Sequence, residues 1–401
     1  MIQTEEAAPE FCPNEGCRFH DQHTASITQW WVRFGSFMTR ARGRIQRFRC
    51  TACGRTCSTQ TFSVHYWTHY TNDLPWLLGL LSSCAGIRQI ARVAGVSHRV
   101  IGNRCRRLAR NALAVMDCAL AELNLDEHLA IDGFESFTRS QYHPNNITHL
   151  VGCRSQFIYA AVHTLFRRKG AMTEAQKRHR AAIDAVWRPA TTVAQQCRFL
   201  FQDLERPICA ACDEWQQPLE LRSDEHTAYR PALASVPSLH RRLTEGTLRH
   251  PRTHSSAPRS RSNPWFAVNY VDRQLRTSLA EYVRHTIRHA REVNAQMERF
   301  AIYMVVHNFI TPHRVSGRAQ VVDEPTHAEI AGVGGHKTGQ LLQRMTTHRA
   351  LYTHSSRLPW WIRRIWLRLH ENPPAVRIRR NTMRVRTVCL PQAALPRYLL
   401  A

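Results

Sequence analysis

With 401 residues, 43% of them hydrophobic, the chain has room for about two to four domains with packed cores. No apolar run reaches the ~18 to 20 residues that span a bilayer, and the acidic, polar start MIQTEEAAPEFCP is not a secretory signal. A cytoplasmic protein without a membrane partner is therefore expected. Lys plus Arg number 55 against 30 Asp plus Glu, a net charge of +25, and such an excess calls for a polyanionic partner, nucleic acid by default.

Lysine occurs only at Lys169, Lys177 and Lys337. A codon bias accounts for arginine over lysine but not for the shortage of acids. Four of the 13 cysteines form two close pairs near the N-terminus and the rest are scattered. That usage fits metal ligation and buried thiols in a reducing compartment, not a disulfide framework.

Residues 8–70 read as a zinc ribbon. Cys12-Pro-Asn-Glu-Gly-Cys17 and Cys50-Thr-Ala-Cys53 each place two thiolates on one side of a tight turn, and together they fill a tetrahedral Zn²⁺ site. Gly54 permits the left-handed backbone after the second turn. With all four positions taken by protein, the zinc is structural, not catalytic. Cys57 and His20 are spare ligand candidates. Between the pairs, WWVRFGSFMTRARGRIQRFRC reads as short strands. Its arginines, with Trp30, Trp31 and Phe34, either meet DNA or form a basic face over a small core; Arg49 and Arg55 flank the second turn.

Residues 71–125 read as helical, with a helix-turn-helix at Ile87–Ile101. Ile87, Ile90 and Ala91 form an apolar face, Gly95 permits the turn, Val96 packs inside and Ser97 is placed to cap the second helix. That helix carries Arg99, Arg104, Arg106, Arg107 and Arg110, and its N-terminal part is the one that would enter a major groove. An ordinary helical hairpin with solvated arginines is the plainer alternative.

In residues 126–315 a β-rich opening gives way to helices. His128-Leu-Ala-Ile-Asp132 is a short apolar strand ending in an acid. Thr148–Gly152 and Gln156–His163 are two more strands, Ala171–Trp187 and Thr191–Leu204 are helices, and Leu219–Asp224 is again a strand ending in an acid. A long amphipathic helix is expected from Tyr270 to Glu292, with Asp272 near its start. Two acids at neighbouring strand ends and a third on a later helix match a ribonuclease-H-like arrangement. Carboxylates so gathered hold divalent metals against a phosphodiester. Each acid has a plainer role open to it. Asp132 can close a turn, Asp224 can cap the following helix, and Asp272 can pair with Arg276 one turn on. Glu281 is the rival third acid. Glu135 falls on the opposite strand face from Asp132. The Arg-Ser stretch at 254–263 reads as a mobile, solvated loop.

The segments Arg49–Thr56, Ile87–Ile101, IDGFESF, and VNYVDRQLRTSLAEYVRHTIRHAREVNAQMERFAIYMVVHNFITPHR resemble the transposases of bacterial insertion sequences that join a zinc ribbon, a helix-turn-helix and a DDE/DDD catalytic domain. Asn269, Asp272 and Arg276 are similar to that family's N-x-x-E-x-x-x-R helix, with aspartate where glutamate is commoner. The resemblance covers roughly residues 12–314. It implies a multidomain α/β protein that binds element ends and target DNA in the prokaryotic nucleoid, as a homo-oligomer. It also implies Mg²⁺- or Mn²⁺-dependent strand cleavage and transfer, with Asp132, Asp224 and Asp272 as ligands. Water and then a DNA 3′-hydroxyl would attack directly, without a protein nucleophile. A DNA-binding regulator with a non-catalytic acid cluster is the alternative, and a nuclease that cuts without joining is a third.

Three features stand outside that scheme. His307 and Asn308 in VVHNF either line the site or pack, with packing the expectation. Cys209-Ala-Ala-Cys212 alone is a weak metal signal. In the basic region 316–401, WWIRRIWLRLH is an amphipathic helix suited equally to a membrane surface, a DNA backbone or docking.

Overall fold

The Arg- and aromatic-rich segment between the cysteine pairs folds as a hairpin of β1 (Trp31–Thr39) and β2 (Gly43–Cys50), extended by β3 (Thr56–Ser58); a five-residue helix, α1 (Gln22–Ser26), precedes it. The strands are antiparallel in the order β1-β2-β3, and Gly43 turns the hairpin at φ +66°. This is a computed structural model, and it describes residues 9–14, 16–20, 22–69, 73–283, 288–314, 324–333, 338–350, 355–379 and 382–386. The three strands and the cysteine turns close a small core of their own around Phe11, Phe19, Trp30 and Phe48.

Helix α2 (Leu74–Leu81) starts where Asp73 accepts a hydrogen bond from the Trp76 N–H at 2.9 Å. Helix α3 (Ile87–Val93) follows, then a turn at Gly95 (φ +63°) and the 24-residue helix α4 (His98–Ala121). Ser97 has the extended backbone of a cap, but its side chain makes no capping bond. Helix α4 reaches well beyond a hairpin. Ile101, Cys105, Leu108, Ala112 and Met116 recur at helical spacing and are buried, and α4 packs along α11 (Val293–Phe309).

Next come β4 (Leu129–Phe137), β5 (Pro144–Gly152) and β6 (Ile158–Leu165), an antiparallel meander. Helices α5 (Glu174–Val186) and α6 (Val193–Asp203) each open on a capping box, Thr173 with Gln176 and Thr192 with Gln195. Helix α7 (Glu205–Glu214) leads to β7 (Leu219–Ser223). Then α8 (Tyr229–Ala234) and α9 (Pro237–Glu245) precede the short β8 (Leu248–Arg249). The five strands form one mixed sheet in the order β6-β5-β4-β7-β8, with β7 parallel to both β4 and β8. The protein is thus mixed α/β.

Helix α10 (Phe266–Ser278) packs on β4 and β5, and the Trp265 indole before it donates to the Ile131 carbonyl at 3.2 Å. The expected Tyr270–Glu292 helix is shorter than its pattern suggests. It ends at Leu279 in extended backbone, Glu281 lies past its end, and 284–287 lie outside the described residues. The apolar residues that continue the pattern turn inward as a non-helical segment, with Ala280 and Tyr282 buried.

After α11 come α12 (His327–Ile330), α13 (Thr338–Thr347) and α14 (Trp360–Trp366), then the hairpin β9 (Ala375–Arg379) and β10 (Thr382–Arg386). Of the three roles open to the basic amphipathic helix, α14 takes docking. Trp361, Ile362, Ile365 and Trp366 are buried, and Asp203 caps its start through the Trp360 and Trp361 N–H groups at 2.9 and 3.3 Å. One buried core draws its side chains from Val64 to Trp366. Among the described residues no helix is long and apolar enough to cross a membrane.

Strand β5 turns toward β6 over a buried carboxylate. Glu127 accepts from the Arg154 N–H (2.8 Å), the Ser155 N–H (2.9 Å) and the Tyr159 hydroxyl (2.8 Å). A Cβ on Gly152 would stand 2.0 Å from Glu127 Oε1. Gly152→Ala should therefore cost about 3 kcal/mol by forcing that network apart. In denaturant melts, Gly102→Ala is the matched control, because nothing lies within 4 Å of its added methyl and the helix gains propensity.

Candidate functional site

Two places gather groups with chemistry. At the ribbon, Cys12 Sγ lies 3.6 Å from Cys53 Sγ and Cys17 Sγ lies 3.6 Å from Cys50 Sγ, and all four sulfurs fall within 4.8 Å of one another. Four thiolates around one Zn²⁺ at ~2.3 Å stand roughly 3.8 Å apart, so the buried cluster can hold such a metal. Burial pushes the Cys12 and Cys17 thiols up. At Cys53 burial also opposes ionisation, but the Arg55 N–H, Asn14 and the neighbouring sulfurs outweigh it and bring the thiol down to about 7. Cys53 is primed to ionise while Cys12 and Cys17 are held back, and a divalent cation would bring the set to full ionisation. The spare ligands stand apart: His20 Nδ1 lies 2.7 Å from the Cys12 carbonyl, and burial pushes the Cys57 thiol up to about 12. Cys209 and Cys212 sit one turn apart on α7 and join no group of three donors within 4.8 Å among the described residues.

The second place is the middle of the mixed sheet, where β4 meets β7. Their parallel register pairs Ile131 with Ser223, which brings Asp132 and Asp224 to the same level at the next position. Helix α10 carries Asp272 over β5, where His149 Nε2 lies 3.3 Å from Asp272 Oδ1. The acids feel one another. Burial first, then Asp272 and Asp224, push the Asp132 carboxyl well above the usual range, against the Gly133 N–H and Arg259. Tyr229, at the start of α8, is also pushed up by burial and by the same three carboxylates. Asp132 Oδ1 meanwhile accepts from the Gly133 N–H at 2.6 Å and Asp224 Oδ1 from the His226 N–H at 2.9 Å. Helix α8 begins only at Tyr229, so Asp224 does not cap it. Among the described residues only the cysteines bring three or more donor atoms within 4.8 Å, so the aspartates couple through space without their oxygens being collected at one point.

No family model matches this chain, and a comparison with curated proteins finds no match.

The other candidates fall into place around these two centres. Glu281 lies away from the acids. It pairs with Arg299 at 3.3 Å, both are buried, and Arg299 also donates to the Leu81 and Ala85 carbonyls. Glu281→Gln should lower stability by about 3 kcal/mol, because it leaves a buried guanidinium without its carboxylate. A chemical melt against the wild type reads this. Arg276 stacks over Phe134 at 4.5 Å and donates to the Tyr282 carbonyl, and Asn269 donates to the Trp265 carbonyl. Glu135 is exposed. Asn308 bonds both the N–H and the carbonyl of Ile158 at 2.9 Å, and His307 Nε2 lies 3.0 Å from the Gln156 carbonyl, so both pack.

The arginines divide by exposure. Arg49, Arg55 and Arg99 are exposed, and Arg49 stands 4.6 Å over Phe34. Arg106 is half-buried. Arg104 is buried, and Arg107 donates to the Val64 carbonyl at 2.7 Å with its guanidinium pushed down to about 10 by burial and by neighbouring arginines. Arg88, Arg92, Arg99, Arg106, Arg288 and Arg291 line one cleft of about 1080 Å³ between the α3–α4 unit and the segment before α11. Three residues beside the acids carry no motif that marks them: His149, Tyr229 and Arg259. For His149 a signal existed, a lone ionisable side chain inside the apolar strand ITHLVG.

Proposed function

We propose that the protein is a DNA transposase of the DDE/DDD type, which cuts and joins DNA strands with a divalent metal held by Asp132, Asp224 and Asp272. The observation that carries this reading is the approach of three aspartates from separate elements, β4, the end of β7 and α10. Burial first, then Asp272 and Asp224, raise the Asp132 carboxyl. Solvent-screened surface acids would not do so. Two further features support it. The sheet sets the Asp132 strand beside and parallel to the strand that leads to Asp224, which suits the ribonuclease-H-like arrangement expected from the sequence. The exposed arginines of the ribbon and of the α3–α4 unit, on a chain of net charge +25, suit a DNA backbone.

A divalent metal at these carboxylates would neutralise phosphodiester charge and activate the attacking oxygen. The chain's own part is placement. Strands β4 and β7 fix two acids at one level, α10 brings the third from above, and Arg259 offsets part of their mutual repulsion. The test is incubation of purified protein with Mg²⁺ and DNA bearing the ends that flank its gene. Joined products would support transposition. Cutting without joining would make the protein a nuclease, and end-specific binding without cutting would make it a regulator.

A further inference from the structure

His149 is the cross-strand partner of Asp132 on β5, and its side chain is 0% exposed. A ring so buried, with Ile147, Leu150 and Val151 around it in the strand, is costly unless both nitrogens are satisfied. One is: Nδ1 lies 3.2 Å from the Ile147 carbonyl. A carbonyl only accepts, so Nδ1 carries the proton, and in the neutral ring Nε2 is a bare lone pair. That lone pair stands 3.3 Å from Asp272 Oδ1, and neither atom has an aligned hydrogen-bond partner. With the ring neutral, two buried acceptors face each other across a gap that either a metal cation or a second ring proton fills. Two donors bound to one ion at ~2.1 Å stand roughly 3.0 to 3.4 Å apart. A backbone carbonyl on the far nitrogen is also the usual support of a metal-bound histidine, because it fixes the tautomer.

We propose that His149 Nε2 is a nitrogen ligand of the divalent metal at the Asp132–Asp272 site, and that it shifts the site's preference from Mg²⁺ toward first-row transition cations. This deepens the transposase reading and rests on its acid site being a metal centre. An all-oxygen site suits Mg²⁺, whereas an imidazole donor favours transition ions.

The experiment uses the full-length, zinc-loaded protein with Mn²⁺ as the paramagnetic probe. Electron spin-echo spectra of bound Mn²⁺ report a directly coordinated nitrogen, and competition with Mg²⁺ gives the two affinities. Wild type should show the nitrogen modulation, and ¹⁵N-histidine labelling should change it without any substitution. His149→Gln should lose it, with Mn²⁺ affinity falling roughly 10- to 100-fold and Mg²⁺ affinity by less. Asp132→Asn should weaken both metals. Mn²⁺ that needs Asp132 but shows no nitrogen modulation, in labelled and unlabelled wild type alike, overturns His149 ligation and leaves the acid site standing. Mn²⁺ binding that ignores Asp132→Asn overturns the acid site itself.

Discussion

Stripping the metal that the four-cysteine cluster is built to hold should unfold the ribbon and leave the larger body folded. The ribbon's interior is separate and small. Phe11, Phe19, Trp30 and Phe48 close around the cysteines, while Val64 to Trp366 share another core. So few buried side chains cannot offset the ordering entropy of some fifty residues, at about 1 to 2 kcal/mol each. The deficit falls to the metal, whose binding supplies about 10 kcal/mol or more in small zinc folds. Cys50→Ser should act like the chelator, because it removes one ligand and leaves three thiols that cannot all ionise beside one another. The readout is hydrogen exchange by mass spectrometry with zinc counted on the same sample. Amides of β1, β2 and β3 should lose protection on chelation while β4, β5 and β6 keep theirs. The body holds the stretch Phe62–Val64 through backbone bonds with Thr347 and Arg349, but its side-chain ion pairs to the segment before Cys12 are weak. Glu10 with Arg344 at 2.6 Å and with His348 at 3.3 Å are exposed pairs, worth ~1 kcal/mol or less each. Exchange that stays protected without zinc would mean that the ribbon folds on its own packing.

The same separation explains what could be read from the sequence. Cysteine spacing marks the ribbon because metal geometry is local: two turns, four sulfurs, a glycine after the second knuckle. The strands around Asp132 and Asp224 are legible because an apolar run ending in an acid is rare within one short segment. Their parallel register is not written in either segment, since it depends on α5, α6 and α7 carrying the chain back to the sheet. The helix from Tyr270 to Glu292 misled for a related reason. Its apolar spacing continues past Ser278, but Glu281 leaves the helix to meet Arg299, a partner no local pattern contains. Helix α4 shows the converse. Its arginines look like one basic face, yet Arg104 is buried and Arg107 is tied to Val64, because the helix is also the spine against which α11 packs. Of the residues beside the acids, His149 stands out in ITHLVG but is placed opposite Asp132 only by the β4–β5 register, and Arg259 is placed only once the 254–263 loop is seen to lie near Asp132.

Asp132→Asn should have opposite effects on activity and on stability. On the proposed reading, Asp132 holds part of the metal, and losing it removes several kcal/mol of charge stabilisation from the reaction, roughly a thousandfold or more in rate. Without metal the same carboxylate is a burden. Burial and the neighbouring Asp272 and Asp224 disfavour its charged form, so its folded carboxyl titrates well above the unfolded one. The sign follows from linkage. Stability from a group whose folded state holds the proton more tightly is fully present below the unfolded carboxylate range, and it is lost as pH rises through the folded value. The metal-free wild type should therefore lose stability as pH rises from the acid range toward neutrality. The Asn variant, with nothing to ionise there, should show a flatter profile. At neutral pH the metal-free variant should be the more stable, because it buries no carboxylate charge beside Asp272 and Asp224. Saturating Mn²⁺ should reverse that ranking, because only the wild type gains binding energy from the ion. Chemical melts across pH, with and without Mn²⁺, measure all of this alongside strand cleavage. A variant that is inactive yet no more stable without metal, and equally stabilised with it, would make Asp132 a structural acid and remove the basis for the metal site.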